Sequence, residues 1–220
     1  MPTADTAFHP SLREENANAL SHAVGCALAL AASPVLGAGL DAVRHAPRWI
    51  GVQVFVASMA LMFGVSAFYH ACPPGTARAW LRRCDHAAIY VFMAGSYTPF
   101  ALAHWQRGGS LGVLGLVWAI AAAGVALKLA NRLRQPLLST LLYLAFGWMV
   151  LLVARPMIDA LPPGGRALLL AGGVAYTVGA LFFLAGTRRP YCHLMWHLFV
   201  ITGCGLHLMA VQQAVLWRSL

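Results

Sequence analysis

Charged residues divide the chain into seven long stretches with no formal charge, at positions 16–40, 49–77, 86–106, 108–127, 135–154, 167–187 and 190–217. Each reaches 20 residues or more, and about 20 apolar residues in a helix cross a hydrocarbon core ~30 Å thick. The pattern predicts seven transmembrane helices, over about 18–41, 49–72, 85–105, 110–128, 136–153, 166–185 and 191–217. The punctuation agrees. "CPPG" stops the second helix, "LPPGG" and "RRPY" mark later turns, and Pro136 and Pro190 suit helix starts. Connections this short make successive helices antiparallel neighbours. The expected architecture is an all-α integral membrane protein: a single seven-helix domain over 18–220 behind a polar N-terminal tail over 1–17.

Composition supports the membrane assignment and narrows the function. Hydrophobic residues make up 60% of the 220 and charged residues 10%, whereas soluble domains carry about 25% charged residues. The helices consume nearly the whole chain, so any function sits in the bundle. The first twenty residues lack a basic start, an apolar core and a small-residue cleavage site, and do not read as a signal peptide. Runs of small residues such as "AIAAAG" and "AGGVAYTVGA" suit close helix packing. No inverted repeat is visible and, His207 apart, the helix centres are nearly free of ionisable groups, which argues against a secondary transporter.

The net charge of +9 would suggest a nucleic-acid partner in a soluble chain, but here the 15 Lys and Arg fall almost wholly between the apolar stretches. There they orient the protein and meet anionic headgroups, and no nucleic acid is expected. Arg13, Arg78, Arg82, Arg83, Lys128, Arg132, Arg134, Arg188 and Arg189 fall on the N-terminal side. Arg44, Arg48, Arg107, Arg155, Arg166 and Arg218 fall on the other. The positive-inside rule then puts the N-terminus in the cytoplasm and the C-terminus outside. Cys26, Cys72, Cys84, Cys192 and Cys204 are odd in number and irregular in spacing, so free thiols are expected.

Candidate chemistry gathers at one end of the bundle. His70 closes the second helix, His193 and His197 open the seventh, and His22 and His86 open the first and third. His193 and His197 stand i, i+4, on one helical face, as do Ser66 and His70, and Asp85 opens the helix after them. One reading is bland: interfacial imidazoles with rings at headgroup level, and a Ser66 hydroxyl bonded to a carbonyl one turn back. The other is a metal site. Three neutral imidazoles, His70, His193 and His197, with an open fourth position make a catalytic type of zinc site. Such an ion acidifies a bound water and polarises a carbonyl. Asp85 would orient that water and take its proton, and Ser66 would donate to it or to the developing oxyanion. His45 and His104 lie at the opposite end, His9 lies in the tail, and His207, ten residues or ~15 Å beyond His197, is too deep to join.

The segments "EENANALSHAVG", "SAFYH", "DHAAIYVFMAGSYTPF" and "HLMWH", in this order and spanning nearly the whole chain, resemble the signature segments of the hemolysin III family. That family is the bacterial branch of the progestin and adipoQ receptor proteins and is related to alkaline ceramidases. The resemblance implies a seven-helix bundle in the bacterial cytoplasmic membrane, with zinc near the cytoplasmic face held by His70, His193 and His197. It places Asp85 at the zinc-bound water beside Ser66. It implies second-shell or helix-anchoring roles for Glu15, Asn18 and His22, which share a helical face, and for His86, which follows Asp85 as in bacterial members. Zinc-dependent hydrolysis of a lipid amide or ester is the implied activity. The alternative is a non-enzymatic membrane protein for lipid sensing, membrane homeostasis or conductance, with zinc structural. A membrane lipid is the expected substrate or ligand. A protein hormone is not, because the long N-terminal domain of adiponectin receptors is absent.

Overall fold

The protein is seen in a computed structural model that describes residues 10–38, 40, 42–104, 110–153, 155–186 and 189–216. The predicted helix ends at Asp41, Trp105 and Trp217, tail residues 1–9 with His9, and Arg107, Arg188 and Arg218 lie outside the described residues. All regular structure among the described residues is helical: α1 (Leu12–Gly37), α2 (Ala46–Ala71), α3 (Thr76–Ala103), α4 (Ser110–Leu129), α5 (Pro136–Trp148), α6 (Val150–Val153), α7 (Arg155–Asp159), α8 (Pro163–Ala185) and α9 (Cys192–Leu216). Five of these, α1, α2, α4, α8 and α9, are long and apolar enough to cross a membrane.

The largest departures from the hydropathy reading are three. Helix α1 begins at Leu12, so residues 12–17 are not tail. Ser11 and Glu14 form a reciprocal capping box, the Ser11 hydroxyl accepting from the Glu14 N–H and the Glu14 carboxylate from the Ser11 N–H. Helix α3 begins at Thr76, nine residues before Asp85. Apolar-run counting sees only the uncharged part of a helix, whereas "TARAWLRRCD" is rich in the helix formers Ala, Leu and Arg and continues the helix beyond the apolar run. The predicted fifth helix, 136–153, is interrupted at Met149. There the Leu152 N–H reaches the Met149 carbonyl only three residues back, a tightened turn that separates α5 from α6.

Sequential helices pack on one another, α1 on α2, α2 on α3, α3 on α4 and α8 on α9, and α9 closes back onto α1, α2 and α3. The inner face of α2 carries Val52, Phe55, Met59 and Phe63, all but inaccessible, at helical spacing. In lipid such packing gains van der Waals contact rather than hydrophobic transfer, so backbones must approach closely. Gly95 of α3 lies directly over Ser58 of α2, where a Cβ would overlap the Ser58 side chain. This close approach brings Asp85 and Ser66 to one level.

Gly95→Ala should therefore lower the melting temperature in detergent, overpacking in a close-packed core costing about 1–3 kcal/mol. Adding Ser58→Gly should restore most of the loss. Thermal unfolding of the wild type and the two variants tests the contact, and an unchanged Gly95→Ala melt would contradict it.

Candidate metal centre

Helix α2 delivers His70 in its last turn, and the first two turns of α9 deliver His193 and His197. One ring nitrogen from each lies within 4.8 Å of the other two, an arrangement that can hold a metal ion. His70 is 4% exposed and His197 1%, while His193 is half-buried.

Hydrogen bonds set two of these imidazoles in matching tautomers. His70 Nδ1 lies 2.8 Å from the Glu15 carboxylate, which only accepts, so Nδ1 carries the proton. Its buried Nε2 is left as a lone pair with no hydrogen-bond partner. The Ser21 hydroxyl donates to the Asn18 carbonyl at 2.8 Å and so accepts from His197 Nδ1 at 3.0 Å. A carboxylate or hydroxyl behind Nδ1, as at both, with Nε2 free in front, as at His70, is the arrangement of metal-binding histidines. An orphaned buried nitrogen, costly in a finished core, fits a metal ligand.

Asp85 and Ser66 flank the triad, 9% and 2% exposed. Ser66 and His70 of α2 are both near neighbours of the Asp85 carboxylate. Because α3 starts at Thr76, Asp85 neither opens nor caps its helix; it sits in the helix interior, facing α2. His22 also does not open its helix, standing ten residues into α1. Its ring stacks on His197 with centroids 3.5 Å apart and meets Phe63 edge-on at 5.0 Å.

Glu15, Asn18 and His22 lie on the face of α1 turned toward the triad. Glu15 joins three helices, accepting from His70 of α2 and pairing with Arg78 of α3 at 2.6 Å. Arg78 in turn donates to the Cys72 carbonyl at 2.7 Å, tying down the turn after His70. Asn18 and His22 are buried, and Asn18 Oδ1 and both His22 ring nitrogens lack hydrogen-bond partners. His86 stays outside the triad. Its carbonyl accepts from the Tyr143 hydroxyl at 2.8 Å, and its ring meets Phe183.

Several participants were not singled out from the sequence. Ser21 holds His197, and Arg78 holds Glu15. Glu14 accepts the Tyr191 N–H and so pins the start of α9 to the start of α1; its place in an S-x-x-E capping box was the available signal. Lys128, counted as an interfacial charge, is 4% exposed and donates to the Leu133 carbonyl and the Ser139 hydroxyl. No local pattern marks it. A cavity of about 160 Å³ starts beside the site at His86 and Trp196 and runs between α3, α5, α8 and α9 to Tyr97, Phe100 and His207. His104 bonds the Phe100 carbonyl and caps the far end of α3, and His45 precedes α2; neither approaches the triad.

Replacing His70, His193 or His197 by Ala should abolish metal retention in purified protein, while His45→Ala leaves it intact. Glu15→Gln should weaken metal affinity by about 10- to 100-fold, the usual effect of losing a carboxylate behind a liganding imidazole. Competition with a calibrated chelator measures both, and full retention in all three Ala variants would refute the site.

The chain matches the family described as "Haemolysin-III related" over residues 11–208. It is 35% identical to hemolysin-3 of Bacillus cereus over 209 residues, 93% of each chain. A hemolysin-3 homolog of Bacillus subtilis is 34% identical over 197 residues, 88% of this chain and 90% of that one. Human monocyte to macrophage differentiation factor is 28% identical over 228 residues, 98% of this chain and 90% of that one. No solved structure matches. A helical bundle with five apolar membrane-length helices, matched to these relatives along nearly its whole length, is a multi-pass membrane protein, and the chain belongs to the hemolysin III family.

Proposed function

We propose that this protein is a zinc-dependent hydrolase embedded in the bacterial cytoplasmic membrane, cleaving an amide or ester bond of a lipid in ceramidase-like fashion. In this reading the chain crosses seven times, with the N-terminus in the cytoplasm, and α3 and the interrupted α5–α7 segment supply the two crossings beyond the five apolar helices. The observation that carries the proposal is the juxtaposition of three imidazoles, a buried carboxylate and a buried hydroxyl with an apolar cavity that starts at His86.

Bound zinc would supply Lewis-acid polarisation of the scissile carbonyl and acidify water. The chain does the rest. His70 and His197, with tautomers set by Glu15 and Ser21, present Nε2 without reorganisation. Asp85, free of any capping duty, orients the attacking water and accepts its proton as the new carbon–oxygen bond forms. The same proton then passes to the leaving amine or alcohol as the carbon–nitrogen or carbon–oxygen bond breaks. The Ser66 hydroxyl donates to the oxygen on which charge develops. The cavity wall, with Phe92, Met93 and Leu144, receives an apolar chain and keeps bulk water out.

A non-enzymatic reading, in which zinc fixes the bundle for lipid sensing or conductance, is favoured by one observation. Glu14, Glu15 and Arg78 clamp α1, α2, α3 and the start of α9 around the triad, as a structural metal would require. Asp85→Asn separates the two. It preserves shape while removing the proton acceptor, so hydrolysis should fall by ~10² to 10⁴-fold with zinc retained. Fatty acid released from a defined lipid mixture, and zinc content of the same preparation, are the measurements. No chelator-sensitive release from the wild type would leave the structural reading standing.

A reporter fused after Leu220 should be active only when exported, and one inserted at Pro74 only in the cytoplasm. The reverse pattern would invert the orientation and move the metal site to the outer face.

A further inference from the structure

His207 is an ionisable residue of the apolar helix centres that the metal site does not use. It lies ten residues beyond His197 on α9, ~15 Å deeper, yet its ring lines the same cavity whose upper end touches His86. A titratable side chain at such depth is expensive unless it has work there. Its surroundings are built to hold it. A Cβ on Gly172 would overlap the His207 ring, and one on Gly203 would overlap the ring of Tyr176, which meets His207 edge-on at 5.1 Å.

The hydrogen bonding gives this end of the cavity a definite polarity. His207 Nε2 lies 3.1 Å from the Leu169 carbonyl, which can only accept, so Nε2 bears the proton and the neutral ring presents Nδ1 as an acceptor. Nδ1 has no partner among the described residues. Tyr97 of α3 lines the cavity at comparable depth, twelve residues or ~18 Å below Asp85. It is 7% exposed, and its hydroxyl is unpartnered. An acceptor and a hydroxyl, both unsatisfied at the foot of an otherwise apolar tunnel, complement a group that donates and accepts together. A plain hydrocarbon tail leaves both unpaired, and a carboxylate cannot donate to Nδ1.

We infer that the cavity selects an acyl chain bearing a hydroxyl roughly midway along it, held between His207 and Tyr97 while the head of the chain lies at the metal site. The inference rests on the reading of the cavity as a lipid-chain site. An extended chain advances ~1.2 Å per backbone bond, so a hydroxyl some twelve carbons from the head reaches the required depth.

The test compares 12-hydroxyoctadecanoic acid with octadecanoic acid on the full-length, metal-loaded protein in nanodiscs, with binding followed by the fluorescence of Trp148 and Trp196, which line the cavity. The hydroxylated acid should bind about five- to a hundredfold more tightly, the increment expected for two satisfied hydrogen bonds. His207→Phe and, independently, Tyr97→Phe should each reduce the ratio of the two affinities, and the double variant should bring it to one, while zinc content stays at the wild-type level. The Tyr97 variant keeps the aromatic ring in place should the His207 variant fold poorly. Equal wild-type affinities, or a preference that survives both substitutions, would overturn the hydroxyl subsite and leave the lipid cavity intact. If neither acid binds, the lipid-chain reading falls and the subsite with it.

Discussion

The bond between Glu15 and His70 is the contact on which the rest of the site depends. A single carboxylate on α1 reaches the last turn of α2 and the first turn of α3, through His70 and Arg78, at a level where a bare charge would be costly. It does two things at once. It decides which nitrogen of His70 faces the triad, and it holds together the ends of three helices that no loop could fix so closely. Breaking such a network by removing one partner is far worse than never having built it, because the remaining charge is left unpaired. The hydroxyl of Ser21 does the same for His197 at lower cost, and Glu14 extends the clamp to α9.

Around this clamp the interior violates the usual rule that buried polar atoms are paired. His70 Nε2, both nitrogens of His22 and Asn18 Oδ1 lack partners in one small region, while polar atoms such as those of Ser58 and Thr98 are satisfied by carbonyls of their own helices. Local backbone acceptors are always available to a Ser or Thr in a helix; an imidazole held away from them is not so easily satisfied. Unpaired atoms concentrated at one site mark a place where stability has been given up for binding.

The same contrast organises the cavity. Its walls are supplied mostly by aromatic and aliphatic side chains of α3, α5, α8 and α9, its upper end by His86, and its lower end by His207 and Tyr97. Glycines at the helix contacts make these placements possible: Gly95 lets α3 close on α2, and Gly172 and Gly203 leave room for rings that would otherwise be driven out of the interior. Close backbone approach and polar placement are thus one design, since rings and carboxylates can be held in register only where helices cannot slide.

Hydropathy and spacing alone determined the helical membrane architecture, because a lipid core imposes one requirement, about 20 uncharged residues per crossing, that no tertiary contact modifies. They also singled out His70, His193 and His197, since i, i+4 spacing and position at a helix end are one-dimensional facts. Helix starts were not legible by that route. The apolar runs end at the first charge, while α1 and α3 continue to Leu12 and Thr76, which changed Asp85 from a helix opener into an interior residue. The tertiary structure alone decided which nitrogen of His70 and of His197 bears the proton, that Ser21, Arg78 and Glu14 belong to the site, and that Lys128 is buried. It also joined His207 to His86 through a shared cavity. The contacts at the triad join residues up to 177 positions apart in the chain, and separation on that scale leaves no periodicity or spacing in a single sequence.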